Sequence, residues 1–176
     1  GLNFLTVEFD IAVRPGQTIT AKGYDDVEFL ISTNPGESLK PLSQVASGGE
    51  LSRIMLAIKT VLAGRDEIDT LIFDEIDTGI SGRTAWKVAE QLSVLSGAHQ
   101  VICITHLPQI AAMADVHFVI EKSSTDDMTI TDIHKVSEEE SLAELARLLG
   151  SDALTEAALS NAKEMKEQAG MFKETR

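Results

Sequence analysis

Two short apolar runs, residues 70–73 and 101–104, flank one amphipathic segment, and each run ends in polar residues. Thr70-Leu71-Ile72-Phe73 is followed by Asp74-Glu75, and Val101-Ile102-Cys103-Ile104 by Thr105-His106. A short run without polar alternation reads as a strand buried on both faces. Between the runs Ala85, Val88, Ala89, Leu92 and Leu95 recur at helical spacing and form one stripe. Strand, crossover helix and strand predict a parallel pair in an α/β fold. In open α/β sheets ligands gather at the carboxyl ends of the strands, so the polar residues after each run are the first candidates for chemistry.

The rest of the chain fits around that unit. Residues 5–13 alternate, with Leu5, Val7, Phe9, Ile11 and Val13 apolar, and predict a half-buried strand that Pro15-Gly16 ends. Residues 27–31 predict a second strand, and Asn34-Pro35-Gly36 a turn. From Glu50 the period changes: Leu51, Ile54, Met55, Ile58, Val61 and Leu62 predict an amphipathic helix that Gly64 stops. Residues 107–114 read as a short helix with Leu107, Ile110 and Ala111 inward. Two strands, 116–121 and 128–136, flank the polar loop 123–127. Helices over 141–149 and 154–168 follow, and the tail 169–176 is expected to be loose. The outer strands read as antiparallel. The 176 residues are expected to form one domain: strands in 1–40, a core in 41–121, and a hairpin with closing helices in 122–176.

Composition narrows the function. With 28 acids against 15 bases the net charge is −13, and no Lys/Arg cluster stands out. Such a surface repels a phosphate backbone, so the chain is not expected to be a main nucleic-acid grip. No apolar run approaches the ~20 residues that span a bilayer, and no membrane partner is expected. The start, Gly1-Leu2-Asn3-Phe4, carries no signal pattern and no Met, and reads as a cut or processed chain. Cys103, the one cysteine, excludes an internal disulfide framework, fits a reducing cytosol and reads as a small core residue.

Four segments could carry chemistry. Ala46-Ser47-Gly48-Gly49-Glu50-Leu51-Ser52 stands where a loop becomes a helix, and a helix start attracts anions. The glycines allow a phosphate close to the backbone. Ser47 and Glu50 also match the capping box S-x-x-E, a structural reading that leaves Gly48-Gly49 unexplained; the two readings are compatible. In the second segment Asp74 suits Mg²⁺, which takes oxygen ligands, and Glu75 suits orientation or deprotonation of a water. The alternative is that acids simply follow strands in loops. Third, His106 at the end of the other strand suits a hydrogen bond to a transferring phosphate, or a purely structural place. His99, His117 and His134 show no ligand spacing. Fourth, Asp77-Thr78-Gly79-Ile80-Ser81-Gly82 precedes the crossover helix. It is either a turn with Ser81 as helix cap or a loop that touches a partner. Trp86 lies off its helix's stripe, at an edge packing site or an interface.

In this order and spacing the four segments resemble the ABC ATPases: signature motif, Walker B, D-loop and switch histidine. Within that family the strings Val45-Ala46-Ser47-Gly48-Gly49-Glu50-Leu51-Ser52-Arg53-Ile54, Phe73-Asp74-Glu75-Ile76-Asp77-Thr78-Gly79-Ile80-Ser81-Gly82 and Thr105-His106-Leu107-Pro108-Gln109-Ile110 are similar to a bacterial DNA-repair branch of the structural-maintenance-of-chromosomes group. The resemblance covers essentially the whole chain. It implies the C-terminal lobe of an ABC-type P-loop ATPase head, α/β, with a mixed sheet whose parallel core is flanked by helices. By resemblance, Ser47, Gly48 and Gly49, with Glu50, would meet the γ-phosphate of ATP held by a second head. Asp74 would serve Mg²⁺, Glu75 would polarise the attacking water, and His106 would sense the γ-phosphate. Asp77 to Ser81 would cross the dimer interface, although transporters carry an aspartate where Ser81 stands.

The P-loop pattern G-x-x-x-x-G-K-[ST] and a coiled-coil heptad run are both absent from this sequence. The family resemblance therefore implies further partners. These are a Walker A lobe and coiled coil of the same protein, a second head in a homodimer, and DNA through the full-length protein in double-strand-break repair and recombination. It implies a cytoplasmic, nucleoid-associated place in a bacterium. Without the P-loop lysine and amides the phosphates lack most of their cradle, so negligible ATPase activity is expected of this chain alone. The alternatives are the head lobe of another chromosome or recombination ATPase, and a non-catalytic regulatory module whose Ser47 and Glu50 only cap a helix.

Overall fold

Alternating side chains shape the first hairpin in the computed structural model, which describes residues 2, 6–44, 47–62, 65, 67–124, 128–150 and 154–175. β1 (Glu8–Thr20) pairs antiparallel with β2 (Gly23–Ser32), Phe9 opposite Ile31, Ile11 opposite Phe29 and Val13 opposite Val27. Opposed residues share a face, and on it Phe9 and Phe29 stack with ring centroids 5.8 Å apart. Pro15-Gly16 does not end the strand as expected. β1 runs on to Thr20 with a shift of register between Pro15 and Thr20. Gly16 permits this, because a Cβ there would lie 2.1 Å from the Tyr24 carbonyl oxygen. The expected start at Leu5 lies outside the described residues. β3 (Lys40–Pro41) adds a short third strand beside β2.

The central unit forms as its pattern predicts. β4 (Thr70–Phe73) and β5 (Gln100–Cys103) are parallel, with Leu71 opposite Val101 and Phe73 opposite Cys103. α2 (Gly82–Leu95) crosses between them and buries Ala85, Val88, Ala89, Leu92 and Leu95. Leu71, Phe73, Val101 and Cys103 pack into the same cluster, with Leu56 of α1 (Gly48–Leu62), Ile76, Ile80 and Ile110 of α3 (Pro108–Ala112). Among the described residues, only this face of the pair is covered. On the other, Ile72 is 67% exposed and Ile102 and Ile104 are exposed beside it, so the expectation of strands buried on both faces is corrected.

The fold is thus α/β with a parallel pair flanked by helices, and the antiparallel strands form sheets of their own. β6 (Phe118–Ser124) and β7 (Thr129–Lys135) make a separate hairpin. α4 (Glu138–Leu148) starts before the predicted 141, because Ser137 and Glu140 form a capping box: Ser137 Oγ accepts from the Glu140 amide at 3.3 Å and Glu140 Oε2 from the Ser137 amide at 2.7 Å. α5 (Glu156–Glu174) continues through the tail expected to be loose, where Ala169 is buried and Lys173 Nζ donates to Asp115 Oδ1 at 2.6 Å. A second cluster joins Ala111, Ala112, Leu145, Ala146, Ala162 and Met165. Trp86 packs partly buried against both clusters, which makes it an edge packing site.

Candidate functional site

α1 begins at Gly48, directly after the half-buried Ser47, whose carbonyl accepts from the Leu51 amide at 3.0 Å. Val45, Ala46 and the expected stop at Gly64 lie outside the described residues. The inward face of α1 differs from the predicted stripe: Gly49, Arg53, Ile54 and Leu56 are buried, while Leu51 and Leu62 are exposed and Val61 is 81% exposed. Arg53 sets this rotation. Its Nη1 donates to the carbonyls of Ile76 at 3.0 Å and Thr78 at 2.8 Å, which satisfies that nitrogen of a residue only 3% exposed. Burial pulls the Arg53 pKa down, and the carboxylates of Glu50 and Asp77 oppose that shift. Ser52 adds a bond from its Oγ to the Asp74 carbonyl at 2.9 Å. The signature-like helix start is therefore clamped to the loop that follows β4.

That clamp gives Gly49 a reason inside the chain. A Cβ on Gly49 would sit 2.8 Å from the Glu75 carbonyl oxygen and 2.9 Å from Thr78 Cβ, and one on Gly48 would sit 2.5 Å from Glu75 Oε2. The carboxylate of Glu75 thus lies over the start of α1, where helix amides attract negative charge. Glu75 holds φ at 57°, a left-handed backbone that costs a side-chain-bearing residue about 1–2 kcal/mol. Asp74 beside it is exposed, and its Oδ1 accepts from the Glu75 amide at 2.9 Å.

Asp77 is held within its own chain. Its carboxylate is turned inward, 3% exposed, and Oδ2 accepts from Thr105 Oγ1 at 2.6 Å and from the His106 amide at 2.9 Å. His106 Nδ1 stands 3.0 Å from that same oxygen, while the ring itself is largely exposed. Thr105 Oγ1 in turn accepts from the Leu107 amide at 3.0 Å. Ser81 occupies the N-cap position of α2, but its side chain makes no capping hydrogen bond and the residue is exposed. Glu50, in the first turn of α1, is half-buried. Burial, with Asp77 and Asp74 nearby, pushes the Cys103 thiol up to about 12 and keeps it a protonated core residue.

The structure thus brings Ser47, Gly48, Gly49, Asp74, Glu75, Asp77 and His106 to one end of the β4–β5 pair. Arg53 and Thr105 belong to the same constellation and escaped the sequence reading of roles. A signal for Arg53 was present: it falls four residues after Gly49 and three before Leu56, a charge on the helix's inner spacing. As a metal site the donor set is sparse. Among the described residues no group of three His, Cys, Asp or Glu side chains could hold an ion. Mg²⁺ in phosphotransfer sites usually takes one or two carboxylates, with phosphates and waters completing its shell, so the exposed Asp74 fits an ion carried on a nucleotide. Among the described residues no helix is long and apolar enough to cross a membrane.

No family model matches the chain. The DNA repair protein RecN of Bacillus subtilis is 49% identical over 157 residues, 89% of this chain. That of Halalkalibacterium halodurans is 44% identical over 167 residues, or 95%. The Treponema pallidum RecN is 54% identical over 143 residues, or 81%. The matched stretches are 27%, 30% and 25% of those proteins, so the chain spans well under half the length of the relatives it matches. A solved chain, from work on ATP-driven dimerization and DNA stimulated activation of SMC ATPases, aligns at TM-score 0.48 and 20% identity over 82% of this chain and 84% of that one.

Proposed function

We propose a role for a chain that is, by its sequence, of the RecN type: it supplies the signature and Walker B half of an ATP-hydrolysing head that works in DNA repair. Two heads would sandwich ATP, each pocket using Asp74, Glu75 and His106 of one chain and Ser47 to Gly49 of the other. Glu75 would orient the attacking water, and His106 would face the γ-phosphate. Mg²⁺, when bound with the nucleotide beside Asp74, would neutralise charge on the phosphate oxygens. DNA and the coiled-coil arms would be engaged through the full-length protein.

The observation that carries this reading is Glu75 itself. It is the one described residue other than glycine with positive φ, and it follows a strand whose last residue is buried. Backbone strain of this kind persists where surrounding contacts enforce it and concentrates at working sites. Here Arg53 and Ser52 enforce it from α1. The test is Glu75→Gln in the full-length protein, measured by ATP turnover and by ATP-dependent association. We expect turnover to fall by at least about 100-fold, as when a positioned base is lost, with association retained or prolonged. Unchanged turnover would remove Glu75 from the reaction.

One observation favours a second reading. The tight packing of Gly49 against residues 75–78 accounts for that glycine without any phosphate, as a purely structural module would require. Ser47→Arg separates the two. A phosphate-contacting Ser47 loses ATP-driven association on substitution, whereas a merely structural one loses about 1 kcal/mol of stability and nothing else.

A further inference from the structure

Asp77 is a carboxylate almost sealed from water, yet its surroundings include one exposed ring. Oδ2 collects the Thr105 hydroxyl at 2.6 Å, the His106 amide at 2.9 Å and His106 Nδ1 at 3.0 Å. The first two contacts fix the backbone that carries the ring, and the third fixes the ring. A nitrogen lone pair facing a carboxylate oxygen at that distance would be repelled, so the nitrogen turned to Asp77 is the one that bears hydrogen. Nε2 is then the nitrogen left toward solvent, on a side chain that is 72% exposed. Asp77 itself is anchored from the far side of the loop, where Arg53 grips the carbonyls of Ile76 and Thr78.

We propose that Asp77 is a positioning residue for His106. It holds the imidazole with Nδ1–H inward and Nε2 outward, and it ties the loop after β4 to the loop after β5 so that the two move together. This rests on the role proposed above for His106. It also reassigns Asp77 from a nucleotide contact across an interface to a support within its own chain. An exposed histidine otherwise samples several rotamers and, in its neutral form, both tautomers. Fixing it in advance removes that search from each turnover.

Nitrogen-15 NMR of the histidine rings in this chain at pH 8 reads the tautomer directly. We expect His106 to carry its hydrogen on Nδ1. Hydrogen on Nε2 in the unmodified chain would overturn the proposal without any variant being made. Asp77→Ala should shift His106 toward hydrogen on Nε2. In the full-length protein it should lower kcat by about 10- to 100-fold with little change in the KM for ATP, the pattern of lost positioning. Asp77→Asn keeps an acceptor oxygen and should restore much of both signals. An Asp77→Ala protein with unchanged tautomer and unchanged kcat would refute the support role. His106→Ala separates the two layers: if it leaves turnover intact, the reading of His106 fails, whatever its tautomer.

Discussion

Gly49 tolerates no side chain for a reason that is local and geometric. The atoms a Cβ would meet are the Glu75 carbonyl oxygen at 2.8 Å and Thr78 Cβ and carbonyl oxygen at 2.9 and 3.0 Å, largely backbone held by Arg53. Gly48 faces only the far end of the Glu75 side chain, at 2.5 Å. The two positions should therefore respond differently to the same change. Gly49→Ala forces the helix off the loop and should lower stability by about 1–3 kcal/mol, despite alanine's better helix propensity. Gly48→Ala should leave stability within about 1 kcal/mol of the original, or raise it, while displacing the Glu75 carboxylate. Urea titrations of the two variants check this; equal losses would contradict the packing account. Gly48-Gly49 was legible as a pair needing explanation, but nothing in the sequence said that residues 75–78 would be the atoms pressing on them. The contacts of Asp77 were hidden for the same reason. Its neighbours suggested a loop at an interface, while its partners Thr105 and His106 lie 28 and 29 residues away.

Among the elements, those governed by local periodicity were legible and those governed by distant contacts were not. The stripe of α2 and the parallel pairing of β4 with β5 followed from spacing alone. The rotation of α1 depended on a tertiary bond from Arg53. The length of α5 depended on Ala169 joining the main cluster and on Lys173 meeting Asp115. The capping box of α4 was readable as Ser137-x-x-Glu140 and shows why that helix starts early. α4 is also joined to the residue just before β6: His117 Nδ1 lies 2.9 Å from Oγ of the buried Ser141. Burial first, then Lys166, lowers the His117 pKa against an opposing pull from Glu144. The sign follows from linkage. Between the lowered folded value and the ordinary unfolded value near ~6.5, the unfolded chain binds more protons, so stability rises with pH. That contribution is whole above about 6.5 and is lost as pH falls through the folded value. We expect His117→Gln to flatten this part of the stability–pH profile measured by denaturant titration. An unchanged slope would remove His117 as its source.

At the scale of the molecule, the described residues cover one side of the parallel pair and leave apolar residues in and beside the first hairpin exposed, among them Val7, Phe9, Ile11, Val13, Val27 and Phe29. α/β architecture was legible because strand, helix and strand admit few topologies. The division of the described strands into three separate sheets was not, since strand neighbours depend on contacts that spacing does not encode. Within the chain the start of α1 and Glu75 are neighbours, yet the proposed head assigns them to different nucleotides. Mixing two full-length proteins tests that assignment most directly, one carrying Ser47→Arg and the other Glu75→Gln, each inactive alone. If the pockets are shared between chains, only mixed pairs carry an intact pocket, one of two, so ATP turnover returns, to about a quarter of the unmodified rate at random pairing and to less where Ser47→Arg weakens pairing. If Ser47 and Glu75 serve the same nucleotide, the mixture stays as inactive as its components, and the shared-pocket account is contradicted.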